Sequence, residues 1–391
     1  LNSSQKNKQL VFVTSRFPYP LEKGDKLRAF YQLKELSKHF DVHLVALHES
    51  IITIDQLKAV ESYCASVQTY FLPKWLKWLF AGLQLFGSKP IQVGYFYNPF
   101  VQRKIRQKLQ WIQPDHIYCQ LVRASEYVKD YHDCHKTLDY MDALSKGMER
   151  RMEKASYFKR MLFKMEFKRL LKYENTIFEY FEHHTIISEE DKKQLFHKDF
   201  SKIMVIKNGV DERFFEPMEQ AQEYDLVFTG NMSYAPNVKA ALFLVNEVLP
   251  LCQSTVKLAI SGANPVQEVR ALASGNVTIT GWVDDIREAY ANSKVFIAPM
   301  TIGTGLQNKL LEAMAMSLPC ITTNLANRAL GASPNEHILV GNTPRELAQH
   351  IDQLVGDEQL RNSLSTKGRE FVAAHFKWEN VTYPLIQLLK Q

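Results

Sequence analysis

The stretch QLVFVTSRFPYPLEKGDKLRAFYQLKELSKHFDVHLVALH, Gln9 to His48, decides the fold class. Its first run, centred on Leu10 to Ser15, is short, apolar and rich in β-branched residues, which predicts a buried strand. Lys26 to Phe40 then carries apolar residues at helical spacing, and Asp41 to His48 predicts a second strand. Strand, helix, strand is the repeating unit of a parallel sheet with helices packed on its faces.

Working outward, the same alternation continues. Further buried strands are expected at 115–119 (DHIYC), 136–140 (KTLDY), 183–188 (HHTIIS) and 202–206 (KIMVI), with helices between them. NGVDERFFEPMEQAQEY, 208–224, is polar and turn-prone and breaks the pattern near mid-chain. The alternation then restarts with YDLVFTG, VKLAISG, NVTITGWV and KVFIAP, and helical segments at 344–355, 358–375 and 378–391 close the chain. A chain of 391 residues exceeds one ordinary core, so two domains follow. The expected division is an N-terminal doubly wound domain at 1–212, a linker at 213–223, a second such domain at 224–375, and a helix at 376–391 packing back on the first. Two open α/β sheets joined by one hinge are expected to face each other across a cleft, with ligands at the C-terminal edges of their strands.

Composition narrows the function classes. A net charge of +6 is a mild excess that matters only where it is concentrated. The five cysteines contain no C-x-x-C pair, so no zinc or redox motif is expected. The first residues, LNSSQKNKQL, lack an apolar signal core, and the greasiest segment, WLKWLFAGLQLF from Trp75 to Phe86, is too short to span a bilayer. The expected location is the cytoplasm, on or near a membrane surface.

Two glycine turns attract chemistry. GTGLQNKLLEAMAMSLPCITT, Gly303 to Thr323, follows a strand and opens a helix whose first N–H groups lack intrahelical partners. Such a terminus favours an anion, Lys309 adds a positive charge, and the Glu312 carboxylate can accept hydrogen bonds from a diol, so phosphate and ribose together point to a nucleotide. A tight strand-to-helix connection with a solvated Lys–Glu pair fits the same pattern. The second turn, SRFPYPLEKGDKLRAF, places Gly24 and Asp25 at a helix start with Arg28 in its first turn; a capped helix and nothing more also fits.

Several stretches taken together resemble the GT-B sugar transferases of glycosyltransferase family four, in particular the bacterial branch that makes exopolysaccharide and capsule. They are IISEEDKKQL followed by VIKNGVDERFF, then GNMSYAPNVKAA, SGANPVQEV, GNVTITGWVDDIREAYANSKVFIAPM and GTGLQNKLLEAMAMSLPCITT, and the family's motifs recur in order from Ser15 to Trp378. The resemblance implies two Rossmann-like domains and a nucleotide-diphosphate sugar as co-substrate, held mainly by the second domain. It also implies an acceptor on the first domain, retention of anomeric configuration, and neither cofactor nor essential metal. By position, Glu312 matches the ribose-binding glutamate, and Gly303, Thr304, Gly305 and Leu306 the loop at the donor sugar and diphosphate. Gly24 and Asp25 match the N-terminal glycine loop, and Gly281, Trp282 and Val283 the segment along the base. Asn208 and Gly209 match the turn before the linker.

Three departures are visible. Thr304 stands where many relatives have a glutamate; Asn231 and Asn237 stand where an arginine and a lysine usually clasp the diphosphate; Gln120 stands near a common active-site histidine. Lys309 and Arg28 are the expected replacement cations, and Thr304, Gln120 and Asp25 the expected catalytic contacts. Asp139 and Asp142, after a strand, are expected acceptor contacts, a turn role being the alternative.

From Lys146 to Lys172 there are ten Lys or Arg against three Glu, with apolar residues at helical intervals. This basic amphipathic run, with Trp75 and Trp78, suits an anionic membrane surface, as it suits a surface helix packed on its own sheet. A nucleic-acid partner is not expected, because no recognition module accompanies the charge. His132, Asp133, Cys134 and His135 are too close in sequence to converge on one ion. The expected activity is sugar transfer to a glycan or lipid-linked glycan in cell-surface polysaccharide synthesis. A donor-binding but inactive partner subunit is the alternative. An NAD-dependent oxidoreductase lacks its G-x-G-x-x-G after either first strand.

Overall fold

A computed structural model describes residues 7–153, 155–216, 218, 220–302 and 305–391. They form two compact units, Leu1–Asn208 with Val381–Gln391, and Gly209–Asn380.

Among the described residues the first unit is built on seven strands: β1 (Gln9–Thr14), β2 (Asp41–His48), β3 (Ser66–Phe71), β4 (His116–Gln120), β5 (His135–Asp139), β6 (His183–Ile186) and β7 (Met204–Val205). They lie in the order β3-β2-β1-β4-β5-β6-β7, each paired in parallel with its neighbours. Leu10 to Val13 are buried throughout, because helices cover both faces of the sheet. Register places Thr14 beside Gln120, so the loops after β1 and β4 leave the sheet side by side. Strand order reverses there, and that crevice is where open α/β sheets take ligands.

The second unit carries β8 (Tyr224–Thr229), β9 (Leu258–Ser261), β10 (Val277–Gly281), β11 (Ser293–Ala298), β12 (Cys320–Thr322) and β13 (Leu339–Val340), ordered β10-β9-β8-β11-β12-β13 and parallel throughout. Its own reversal lies between β8 and β11, and the helix Asn308–Ala315 follows β11.

Two boundaries differ from the sequence expectation. The chain changes unit at Asn208/Gly209, because Val210 and Phe214 bury into the second core and Glu212–Phe215 coils there as a 3-10 helix. The expected linker at 213–223 thus begins inside the second unit. The last helix, Trp378–Leu389, starts in the second unit, where the Trp378 ring packs over Gly209, and ends in the first, where Leu385, Ile386 and Leu389 join Leu10 and Phe12. The basic run from Lys146 is also two helices, Leu144–Glu153 and Tyr157–Phe178, the second with Ser156 at its N-cap position. Among the described residues no helix is long and apolar enough to cross a membrane.

Candidate functional site

In the second unit three glycines lace the strand ends together. Gly230 follows β8, Gly262 follows β9 and Gly281 ends β10, all with positive φ. The Gly230 N–H donates to Ser261 O at 3.0 Å and the Gly262 N–H to Gly281 O at 2.8 Å. A Cβ on Gly262 would lie 1.9 Å from the Gly230 carbonyl oxygen, so this close approach of two backbones requires glycine.

Against this floor stands the head of the helix Asn308–Ala315. Gln307 at its N-cap offers no side-chain cap, which leaves first-turn N–H groups to a ligand. Lys309 Nζ donates to Asn237 Oδ1 at 2.6 Å and lies 4.7 Å from the centre of the Phe228 ring. Asn237, in the first turn of the helix Ala235–Phe243, is held by its own amide, which donates to Asn231 O at 3.0 Å. Burial pushes the Lys309 ammonium down to about 8, with Glu312 pulling the other way.

Glu312 takes a different partner. Its Oε2 accepts the Tyr290 hydroxyl proton at 2.8 Å, and that hydroxyl lies 2.9 Å from Thr229 Oγ1 at the end of β8. Burial raises the Glu312 pKa, while the Tyr290 bond and Lys309 oppose the rise. Among the described residues no ion pair joins Lys309 to Glu312, and Oε1 of the glutamate accepts no hydrogen bond. The solvated Lys–Glu pair weighed from sequence is therefore not what forms. Cation and carboxylate are held apart by separate partners, each keeping capacity for a ligand.

The other expected donor contacts are distributed around this centre. Asn231 is exposed, and its Oδ1 accepts from the Ser233 N–H and hydroxyl. Gly305 is exposed and Leu306 packs on the core. Trp282, 71% exposed, donates from Nε1 to Asp284 Oδ1 at 3.2 Å beside the partly buried Val283. Gly303 and Thr304 lie outside the described residues.

In the first unit the expected residues separate into two groups. Gln120 Nε2 donates to the Asp25 carbonyl at 3.1 Å, and Arg16 pairs with the Asp25 carboxylate, so Asp25 and Gln120 do converge at the β1/β4 crevice. Gly24 is exposed with open space around it, and Asp142 is exposed after β5. Arg28 and Asp139 are corrections. Both side chains are wholly buried, with Arg28 Nε donating to Asp139 Oδ2 at 2.7 Å. Arg28 also donates to Ile206 O at 2.8 Å and Asn208 Oδ1 at 2.9 Å, and Thr185 Oγ1 donates to Asp139 Oδ1 at 3.0 Å. Burial works against the Arg28 charge, yet Asp139 and Tyr118 hold its pKa above the ordinary value. Neither group reaches a ligand surface; they brace the strand ends internally.

Sequence reasoning missed Tyr290, Gly230, Gly262, Arg16 and Arg123. Glycine directly after VFT and AIS was a legible sign of the floor. Tyr290 carried no sign beyond a hydroxyl that burial obliges to find a partner.

Residues 223–357 match the family model described as Glycosyl transferases group 1. The matched residues all lie in the second unit. Around it, the chain is 23% identical over 374 residues to an uncharacterized 44.6 kDa protein in the cps region of Klebsiella pneumoniae, covering 88% of this chain and 90% of that one. It is 31% identical over 119 residues to the lipopolysaccharide core biosynthesis glycosyltransferase LpsE of Rhizobium meliloti, covering 30% of this chain and 34% of that one. Among solved structures it is similar to Anabaena HepE in complex with UDP, with a TM-score of 0.67 at 13% identity, covering 98% and 99% of the two chains. At that identity the likeness speaks for the fold. The α/β class expected from sequence, two Rossmann-like units of GT-B type, is borne out.

Proposed function

We propose that the protein transfers a sugar, with retention, from a nucleoside-diphosphate sugar to a glycan or lipid-linked glycan in cell-surface polysaccharide synthesis. The observation that carries this reading is the separate anchoring of Lys309 and Glu312 at one helix head of the second unit. Lys309 and the open first-turn N–H groups suit a diphosphate; the unoccupied Oε1 of Glu312 suits ribose hydroxyls. The polysaccharide context is supported by the cps-region and lipopolysaccharide-core relatives, and the donor class by the UDP held in HepE.

In the reaction, the bond from the anomeric carbon to the β-phosphate oxygen breaks as an acceptor hydroxyl oxygen bonds to that carbon. The departing phosphate oxygen takes the acceptor proton. The transition state has oxocarbenium character, and charge grows on the diphosphate, where Lys309 and the helix N–H groups stabilise it. In the first unit, Gln120 and Asp25 orient the acceptor hydroxyl, a role supported by the bond from the Gln120 amide to the Asp25 carbonyl.

The protein reads as peripheral on an anionic membrane. Trp75, Trp78, Leu79, Leu83 and Phe86 are exposed, as are Tyr157, Phe158 and Met161 among Lys159, Arg160 and Lys164. Arg169 of the helix Tyr157–Phe178 donates to Gln84 O and Leu85 O, just past the end of the helix Lys74–Leu83 that carries the two tryptophans, which joins the two helices into one apolar and basic surface.

Incubation of the whole chain with a panel of nucleotide sugars and polysaccharide fragments tests the activity. Acceptor-dependent release of nucleoside diphosphate is expected. Donor binding without any release would instead make the protein a donor-binding subunit.

A further inference from the structure

Three cations converge on one phenyl ring in the first unit. Lys77 Nζ lies 4.2 Å from the centre of the Phe96 ring, the Arg123 guanidinium 4.9 Å and the Arg16 guanidinium 5.5 Å. Phe96 itself is buried. Two of the cations are answered by carboxylates, Lys77 by Glu49 at 2.7 Å and Arg16 by Asp25. Arg123 is not. Among the described residues it makes no hydrogen bond and no ion pair, and its Nε is buried without an acceptor. Its two terminal nitrogens, also without partners, remain open to solvent.

A largely buried guanidinium in no ion pair is costly: burial and Arg16 work against its charge, and the nearby Asp25 and Asp142 carboxylates offset them only in part. Backbone geometry nevertheless enforces the placement. Leu121, just before the 3-10 helix Val122–Tyr127 that carries Arg123, has φ +70, a conformation a β-substituted residue adopts only under constraint. Its N–H is tied to Asp139 O at 2.7 Å. The segment follows β4 at the β1/β4 reversal, beside Gln120 and Asp25. Arg16 also lines a cavity of about 250 Å³, whose charged lining is mixed: Lys23 and Lys26 with Glu22 and Glu49.

Resting on the sugar-transfer reading, we propose that Arg123, with Arg16 beside it, receives an oxyanion of the acceptor, the carboxylate of an acidic sugar or a sugar phosphate. The acceptor is therefore an acidic glycan. Guanidinium forks match both oxyanions geometrically, and stacking on Phe96 leaves the outer edge of Arg123 directed to the ligand.

The test titrates the full chain with methyl glucuronoside, glucose 6-phosphate and neutral methyl glucoside, and separately with UDP, GDP and ADP. At least one anionic sugar is expected to bind, about tenfold or more tighter than the neutral one, and which of the two binds names the source of the oxyanion. R123Q should abolish that preference while R123K keeps part of it. It should also leave the best nucleotide's affinity unchanged and the melting temperature equal or higher, since a buried charge in no ion pair is gone. A neutral sugar binding as well as the acidic ones would overturn the proposal, as would an R123Q preference equal to the parent's. R123Q weakening the nucleotide as much as the sugar would reassign the arginine to the donor. Absence of nucleotide binding with the acidic-sugar preference intact would sink the transfer reading and leave the oxyanion site standing.

Discussion

Lys309 Nζ donates to Asn237 Oδ1 at 2.6 Å, so a cation from the helix after β11 reaches the head of the helix after β8. Asn237 stands where a cationic residue is expected by resemblance, and the lysine brings the charge to that spot from another element. Lys309→Met should weaken nucleoside diphosphate more than monophosphate in calorimetry. Because burial holds the ammonium at about 8, diphosphate affinity should fall as pH rises past that value in the parent, and this limb should vanish in the variant. The stability effect has the opposite sense. An unfolded lysine titrates near ~10.4, so between about 8 and that value the unfolded chain holds more protons and this group's contribution rises with pH. In urea denaturation Lys309→Met should therefore gain most over the parent at pH 7, and the gain should shrink toward pH 10.

Glu312 and Tyr290 give a second prediction. Glu312→Ala should cost about 1.5–3 kcal/mol of nucleoside-diphosphate binding, the value of charge-assisted hydrogen bonds. Burial already lifts this carboxyl above its ordinary range, so affinity should decline on acidification earlier than an exposed glutamate would allow. Tyr290→Phe removes a bond that favours the ionised form and should move that acid limb to higher pH. A limb at the same pH in both proteins would show that Tyr290 does not tune the glutamate.

Strands and helices were legible because burial on both faces writes continuous apolar runs and amphipathic faces write a 3.6-residue period. Lys309, Glu312 and Asp25 were legible for a related reason: a glycine turn between strand and helix announces itself locally. What stayed hidden is pairing across the sheet. Arg28 meets Asp139 because β4 and β5 insert beside β1 in the strand order, a relation that no local window contains. The same holds for Lys309 with Asn237, and for Arg123, whose lack of a partner is visible only once every neighbour is placed. The unit boundary was misplaced because the polar look of 208–224 concealed two core anchors, Val210 and Phe214.

The glycine floor is expected to be intolerant in one place and permissive in another. Gly262→Ala combines a φ of +141° with a clash against Gly230 O, and should lose roughly 2–4 kcal/mol of stability. Gly24→Ala meets nothing within 4 Å and should fold as the parent does. Thermal melts of the two variants compare them directly, and an unaltered Gly262→Ala would refute the close approach.

Membrane attachment should depend on both components of its surface. Replacing Trp75 and Trp78 by Ser, or Lys159 and Arg160 by Gln, should each reduce co-sedimentation with vesicles containing anionic lipid. Only binding that depends on the charges should weaken with added salt. Sedimentation equal to the parent's in both variants would return these helices to an ordinary solvent-facing role.

The Arg28–Asp139 pair distinguishes a brace from a binding residue. Asp139→Asn leaves a buried guanidinium without its counter-charge, and Arg28→Met leaves the carboxylate so; each should cost about 3–5 kcal/mol. Arg28→Lys should not restore stability, because an ammonium cannot span Asp139, Ile206 O and Asn208 Oδ1 at once. Denaturant midpoints measure this, and calorimetry on the fraction still folded supplies the control. Since Arg28 has no exposed surface, nucleoside-diphosphate affinity per folded molecule should match the parent's. Unchanged stability with a selective loss of affinity would instead return Arg28 to the donor site, which is where the sequence alone had placed it.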